Sequence, residues 1–221
     1  MPAAVNTFLI VLAAIFPVVN PPGSALVFLG LTRGATAETR RVLARRIAVN
    51  SLFVLMGSFL LGSLVLQFYG ISIPILRVAG GLIVAVSGWK LLNEGSQKDI
   101  EASAGDVART DLMSQAFYPL TLPLTTGPGT IAVTISIGLS RVTFTGGSGA
   151  LFFVLASLLA IFVIALSIWF CFAYAVRVQK LLGRGGTEIA VRLSAFILFC
   201  LGVQILWSGL SELLTSTFAH R

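Results

Sequence analysis

Charged side chains are scarce in this sequence, and their scarcity restricts the class of protein. Asp, Glu, Lys and Arg make up 10% of the 221 residues and apolar residues 57%, and the mean hydropathy is +0.98. A soluble domain carries about 25% charged residues, so this chain has too few to cover a surface that faces water. The composition excludes a soluble globular protein and indicates one that faces lipid.

Residues that bind metals or form disulfides are also few. The sequence has one histidine, His220, and two cysteines, Cys171 and Cys200, which lie in apolar runs and are interpreted as small buried hydrophobic residues. All eight carboxylates lie in loops or near the ends of apolar segments. We therefore expect no paired carboxylates, nucleophile–base pair or metal-ligand cluster inside a span, and hence no enzyme, cofactor or metal site.

Apolar segments long enough to cross a bilayer recur along the chain. Four are uninterrupted, at residues 47–66, 73–92, 149–176 and 193–210. Two more, at 8–31 and 113–139, are interrupted by clusters of proline and glycine, which disfavour helix. The sequence predicts an all-α polytopic membrane protein with six transmembrane helices, of which helices 1 and 4 are broken. The residues expected to break them are Pro17, Pro21, Pro22, Pro123 and Pro128.

The two interrupted segments share a motif that indicates an internal repeat. Pro17-x4-Pro22-Gly23 recurs as Pro123-x4-Pro128-Gly129, 106 residues later. The polar segment 94–111 divides one membrane domain into two three-span repeats, 1–93 and 112–221. Because each repeat has an odd number of spans, the second enters the membrane in the opposite orientation. We predict inverted repeats whose broken helices meet near the midplane.

The basic residues are unevenly distributed among the loops. Twelve of the fifteen Lys and Arg residues lie in the first loop, the central linker and the loop before the last span, or at the adjoining span ends. The positive-inside rule places these loops in the cytoplasm, and both termini outside. The net charge of +7 is thus explained by membrane orientation and does not indicate nucleic-acid binding.

Polar groups around the two breaks form the candidate site. A break inside a bilayer persists only where it is buried in protein or lines a polar cavity. We expect N–H groups after Gly23 and Gly129 to bind a carboxylate, and carbonyl groups before the breaks, with Asn20, to bind an ammonium. The predicted substrate-binding residues are Asn20, Gly23, Ser24, Thr126, Gly127, Gly129 and Thr130, and the candidate cavity-lining residues are Thr125, Thr134 and Gln204.

Structural interpretations compete with these assignments. Asn20, which precedes two prolines, is a good helix N-cap with or without a substrate contact. Thr126, Thr130 and Thr134 follow at intervals of four residues and fit close helix packing as well as a polar stripe. Gln204 and Ser208 fit either the cavity or an interhelical hydrogen bond.

Polar residues near the ends of spans have a simpler interpretation. Asn50, Ser51 and Gln67 are expected at the membrane interface. Arg77 and Arg192, each near the start of the third span of its half, are interpreted as interfacial anchors.

Two segments resemble signatures of a known family. Residues 16–32, FPVVNPPGSALVFLGLT, are similar to the first-span signature of the MarC family of bacterial inner-membrane proteins, and residues 119–131, PLTLPLTTGPGTI, to its fourth-span signature. Residues 77–81 and 202–204 fit its third and sixth spans. The resemblance covers essentially the whole chain and implies a six-span protein of the cytoplasmic membrane. Some relatives are described as transporters of glycine, alanine and threonine.

These observations favour a transporter of small neutral solutes, most of all small neutral amino acids, that works by alternating access around a midplane site. A zwitterion suits opposed helix ends because no buried ionised side chain is available. The alternatives are a channel for a small neutral solute and a non-transport membrane scaffold. The candidate coupling ions are sodium and the proton.

Overall fold

The computed structural model describes residues 3–32, 34–93, 113–140 and 147–219, and the regular structure in this part of the chain is helical. The linker 94–111, predicted to be cytoplasmic, lies outside the described residues. Five of the described helices are long and apolar enough to cross a membrane, and the spans number up to six if the bent pair Ser114–Thr125 and Pro128–Leu139 is one span. The prediction of an all-α chain with several membrane spans is confirmed.

A single residue separates the two helices of the first span, α1 (Ala3–Val19) and α2 (Pro21–Leu31). Asn20 has a left-handed backbone, with φ 48°, which asparagine tolerates better than most residues. Pro17 lies inside α1, so the expectation that it breaks the helix is wrong. Pro21 starts α2, where its missing N–H removes no hydrogen bond within that helix.

α3 (Ala37–Tyr69) begins ten residues before its apolar segment. The side chain of Thr36 accepts a hydrogen bond from the N–H of Thr39 over 3.1 Å and caps the helix there. Gly70, with φ 66°, ends α3 in a left-handed C-cap. α4 (Ile73–Asn93) follows almost at once.

The first part of the fourth span is not the α-helix that its apolar composition indicated. Ser114–Ala116 form a 3₁₀ turn and Leu120–Thr125 a π-helical turn, inside which Leu122 has non-helical φ and ψ. Pro123 accounts for this, because proline disfavours the α conformation of the preceding residue. α5 (Pro128–Ser140) follows, and the span bends by 70° at this point.

The last element, Gly147–Ala219, contains two spans, α6 (Gly149–Gly183) and α7 (Gly185–Ser216). Non-helical dihedral angles occur inside it only at Gly183, with φ 67° and ψ −177°. A residue with a side chain would be strained in this conformation. The basic segment expected to be a loop before the last span is therefore mostly helical.

α4 and α7 pack closely and run antiparallel. Gly88, late in α4, contacts Phe199, in the first half of α7, whereas Pro74 at the start of α4 contacts Gly209, late in α7. A Cβ built on Gly88 would lie 2.5 Å from the backbone nitrogen of Phe199. Such close approach of two backbones is typical of membrane helices, which gain little from the hydrophobic effect and associate through packing. The glycines at this contact are Gly81, Gly88, Gly202 and Gly209.

The remaining spans share an apolar core. The ring of Phe28 in α2 stacks on that of Phe172 in α6, with 4.8 Å between centroids, and Phe59 of α3 lies 6.3 Å from Phe153 of α6. α5 packs against both α3 and α4. The helix pairs with the most extensive contacts each combine a helix before residue 94 with a helix after residue 112. The halves of the chain are therefore interleaved.

Candidate solute-binding site

α5 begins with backbone N–H groups that have no acceptor. The N–H groups of Gly127, Gly129 and Thr130 have no hydrogen-bond partner among the described residues, and the N–H of Ile131 donates to the Gly127 carbonyl over 3.1 Å. The cause lies in the preceding turn, where Thr126 has φ −120° and ψ 70° and does not extend the helix backwards. Such a helix start attracts anionic groups.

The Thr130 side chain adds a hydroxyl to these N–H groups. Thr130 is 3% exposed, and its hydroxyl has no partner among the described residues. By contrast, the hydroxyl of Thr134 donates to the Thr130 carbonyl over 2.7 Å, and that of Thr125 donates to the Leu120 carbonyl over 2.8 Å. Of these three threonines, only Thr130 has a hydroxyl available to a solute.

Gly129 sets the position of this helix start against α4. A Cβ at Gly129 would lie 2.0 Å from Cγ2 of Val84 and 3.2 Å from the carbonyl oxygen of Gly80. In turn, a Cβ at Gly80 would lie 2.5 Å from the Cβ of Ala132. The glycines are needed here because the two helices approach closely.

α3 contributes a polar contact that the sequence analysis missed. The Oγ of Ser51 lies 2.8 Å from the Oγ1 of Thr126, and both side chains are fully buried. Ser51 was expected only as a polar residue at the membrane interface, and the structure shows in addition that it is buried against the fourth span. Helical spacing could have predicted the burial of Ser51. It lies four residues from Ile47 and from Leu55, which are on the same face of α3 and are also fully buried.

The neighbouring Asn50 contacts the same span. Its Nδ2 donates to the Oγ1 of Thr121 over 3.4 Å, and the Thr121 hydroxyl donates to the Ala116 carbonyl over 2.6 Å. Two consecutive residues of α3 thus bind the irregular first part of the fourth span.

The first span presents unpaired acceptors where it is interrupted. Pro21 and Pro22 have no N–H, so the carbonyls of Pro17 and Val18, four residues earlier, lose their helical donors. Neither carbonyl has another donor among the described residues. These two carbonyls carry partial negative charge at the end of α1 and fit a cationic group.

The N–H groups just after this interruption are already engaged. The N–H of Gly23 donates to Oδ1 of Asn20 over 3.2 Å, and the N–H of Ser24 donates to the Asn20 carbonyl over 2.9 Å. The Ser24 hydroxyl donates to the carbonyl of Val19 over 3.1 Å. The expectation that N–H groups after Gly23 bind a carboxylate is therefore wrong, because Asn20 and the helix itself use them.

Asn20 combines this capping role with a free donor. Its Oδ1 caps α2, whereas its Nδ2 has no acceptor among the described residues. A Cβ at Gly23 would lie 2.4 Å from that Nδ2, so glycine at this position makes room for the cap.

The two interrupted spans contact each other, and the part before the interruption in one span contacts the part after the interruption in the other. α1 contacts α5, and α2 contacts the turn Leu120–Thr125. The helix that ends in unpaired carbonyls thus packs against the helix that begins with unpaired N–H groups. The side chains around them are neutral, namely Asn20, Ser24, Ser51, Thr126 and Thr130.

Known proteins match the chain over nearly its full length. The family described as MarC family integral membrane protein matches residues 5–214. The chain belongs to the MarC family. Two relatives, both named inner membrane protein MarC, cover 92% of this chain and 93% of their own length. The relative from Salmonella typhimurium is 32% identical over 207 residues, and that from Escherichia coli is 34% identical over 208. No solved structure matches.

The MarC match includes the spans that carry the unpaired carbonyls and N–H groups. It identifies an integral membrane protein, and its relatives are named for the inner membrane. The name MarC specifies no substrate, so the chemistry of the site rests on the residues described above.

Gln204, predicted to line the same cavity of this MarC-family chain, faces away from the contact between α7 and α4. Gly202 and Leu206 of α7 contact α4, whereas Gln204, two residues from Gly202, points about 200° round the helix. Its side chain is exposed. The structure therefore places Gln204 on the outer face of α7.

Proposed function

We propose that this MarC-family chain is a secondary transporter of small neutral amino acids. The observation that carries the proposal is the division of unpaired backbone groups between two spans in contact. The carbonyls of Pro17 and Val18 lie on one span, and the N–H groups of Gly129 and Thr130 on the other. The ammonium of an amino acid donates hydrogen bonds and its carboxylate accepts them, so the two ends of a zwitterion complement the two sets of backbone groups.

The residues around these backbone groups favour a solute that is small and carries no net charge. Val19, Thr126 and Thr130 around them are 3% exposed or less, which leaves little room for a large side chain. The adjacent side chains carry no charge to pair with a net-charged solute. Glycine, alanine and threonine fit these conditions.

We also propose that residues 1–93 and 112–221 are inverted repeats, with the linker 94–111 in the cytoplasm, both termini outside and both helix interruptions near mid-membrane. The antiparallel contact of α4 with α7 supports this arrangement, because it joins the third spans of the two repeats. The pairing of α1 with α5 and of α2 with Leu120–Thr125 supports it in the same way. Alkaline phosphatase fused to the C-terminus should be active if that end lies outside.

Uptake into proteoliposomes tests the transport proposal. Radiolabelled glycine, alanine and threonine are offered to the purified, reconstituted chain, with and without a sodium or pH gradient. We expect saturable uptake and counterflow, with competition by free amino acids but not by their methyl esters or by amines that lack a carboxylate. Absence of uptake for every neutral amino acid refutes the proposal, and flux that never saturates favours a channel.

A pair of threonine variants connects uptake to the site. Thr130→Val removes a hydroxyl that has no partner among the described residues. The matched control Thr134→Val removes a hydroxyl that bonds within its own helix. Loss of a hydrogen bond to the solute should raise the KM about 3- to 10-fold in Thr130→Val. The KM of Thr134→Val should stay near the wild-type value. Equal effects of both variants contradict a solute contact at Thr130.

A further inference from the structure

One face of α7 is exposed along the middle of the span and carries an amide. α7 is the least buried of the five candidate spans among the described residues. Its opposite face, with Gly202 and Gly209, packs on α4. Gln204 provides the amide of this exposed face, and the residues of the face are Leu193, Ile197, Cys200, Gln204, Trp207 and Ser208.

Gln204 lies at a depth where an unsatisfied amide is costly. It lies three to four residues from the midpoint of Gly185–Ser216, or about 5 Å along the helix axis. Its side chain has no hydrogen-bond partner among the described residues. Polar side chains at this depth normally face the protein interior or pair with another polar group.

A polar residue on the exposed side of α4 shows how an exposed polar side chain is usually satisfied in a membrane helix. Ser87 is also exposed, but its hydroxyl donates to the carbonyl of Ile83 over 2.8 Å. A serine hydroxyl in a membrane helix can thus be satisfied within its own turn. The amide of Gln204 makes no such bond within the part of the chain that the structure describes, so this face of α7 presents an amide without a partner there.

We propose that this face of α7 binds the same face of a second copy of the chain, with Gln204 hydrogen-bonded to Gln204 of that copy. All copies insert in one orientation, so a twofold axis along the membrane normal makes the two α7 helices parallel and brings each residue opposite itself. A glutamine side chain is self-complementary because it has both a carbonyl acceptor and an NH₂ donor. Residues 193, 197, 200, 204 and 207 are spaced by three and four, as a helix-pair seam requires.

A second copy of the chain can hydrogen-bond the Gln204 amide, whereas lipid cannot. A lipid tail offers no hydrogen-bonding group, and a different protein would need a polar residue of its own at the same depth. A second copy supplies a matching one without further assumption. This inference does not depend on the proposed transport activity.

Cys200 is a native probe of this interface. It is exposed, lies one turn before Gln204 on the same face, and is one of two cysteines in the chain. A disulfide needs two Cα atoms within about 7 Å of each other. In Cys171→Ser, oxidation of native membranes with copper phenanthroline should therefore give a covalent dimer of the 23.4 kDa chain. The matched variant Cys200→Ser, which keeps Cys171, should stay monomeric on a non-reducing gel.

The amide itself is tested by energy transfer between labelled copies in liposomes of decreasing protein-to-lipid ratio. Gln204→Leu should weaken association about 10-fold, Gln204→Asn should weaken it less, and Ser87→Ala should leave it unchanged. Elution as a single sharp peak checks that each variant is folded. The proposal is overturned if Cys200 gives no disulfide, if it cross-links to a different protein, or if Gln204→Leu associates like the wild type.

Discussion

The hydroxyl oxygens of Ser51 and Thr126 lie 2.8 Å apart, and neither side chain is exposed. This bond joins α3, in the first half of the chain, to the residue that ends the turn before α5, in the second half. The unpaired N–H groups of Gly129 and Thr130 follow within four residues. The contact therefore fixes where the N-terminal end of α5 lies relative to α3, and Ser51 is a positioning residue for the proposed site.

Ser51→Ala should lower the free energy of unfolding by about 1 kcal/mol, since it leaves the buried Thr126 hydroxyl without its partner. Thr126→Val should have a similar cost, and the double variant should cost less than the sum of the two because both lose one bond. Ser58→Ala is the control, because the Ser58 hydroxyl bonds the Val54 carbonyl of its own helix. Chemical denaturation in mild detergent measures these differences, and strict additivity contradicts the coupling.

Gly129→Ala should destabilise the contact of α4 with α5, because its Cβ would lie 2.0 Å from the Val84 side chain. Overpacking of this kind costs about 1–3 kcal/mol. The obstacle is mainly a side-chain methyl group, so Val84→Ala should restore much of the loss. Gly57→Ala is the matched control, since no heavy atom of the described residues lies within 4 Å of a Cβ there, and it should be neutral or stabilising. Failure of Val84→Ala to improve the Gly129→Ala variant contradicts this packing.

The number and position of the spans follow from hydropathy, which depends only on local composition. The π turn Leu120–Thr125 was not predicted, because hydropathy does not distinguish an α-helix from a backbone distorted at Pro119 and Pro123. The N-terminal extension of α3 was missed because the cap at Thr36 and the arginine-rich turns after it are polar.

The burial of Ser51 and the outward position of Gln204 depend on which helices pack together. Helical spacing places each residue on a face, but only the tertiary contacts decide whether that face meets protein or lipid. The division of donors and acceptors at the site was partly predictable. The prolines remove donors from α2, whereas the use of the Gly23 N–H by Asn20 depends on a left-handed backbone at Asn20.

Gly202→Ala should be more disruptive than Gly129→Ala, because the added Cβ would lie 2.2 Å from the backbone nitrogen of Ala85. Backbone cannot rotate away as a side chain can, so α4 and α7 would have to separate. We expect a loss of more than about 3 kcal/mol and no rescue by Ala85→Gly, which leaves the clashing atom in place. Thermal unfolding in detergent measures the loss of stability, with Gly57→Ala as the control. A stable Gly202→Ala protein contradicts the close contact.

Variants of Asn20 separate helix capping from solute binding. Asn20→Asp keeps the acceptor for the Gly23 N–H but replaces the free NH₂ donor with a negative charge. Asn20→Gly accommodates the left-handed backbone but has no side chain. If Asn20 only caps, both variants should lose at most about 1 kcal/mol of unfolding free energy and keep the wild-type KM. We expect the KM of Asn20→Asp to change because its carboxylate alters the charge beside the solute. A wild-type KM in both variants contradicts a role in binding.

Arg77 connects three helices at the end of α4, because its Nε donates to Ser136 of α5 over 3.1 Å and its Nη1 donates to Glu212 of α7 over 2.6 Å. The Glu212 side chain is about half exposed, so Glu212→Gln should cost less than about 1 kcal/mol and salt should reduce the difference from wild type. Arg77→Lys should cost more than Glu212→Gln, since a lysine ammonium cannot reproduce two bonds at fixed directions. Thermal unfolding at low and high salt compares the two. The bridging role is contradicted if Arg77→Lys is as stable as the wild type.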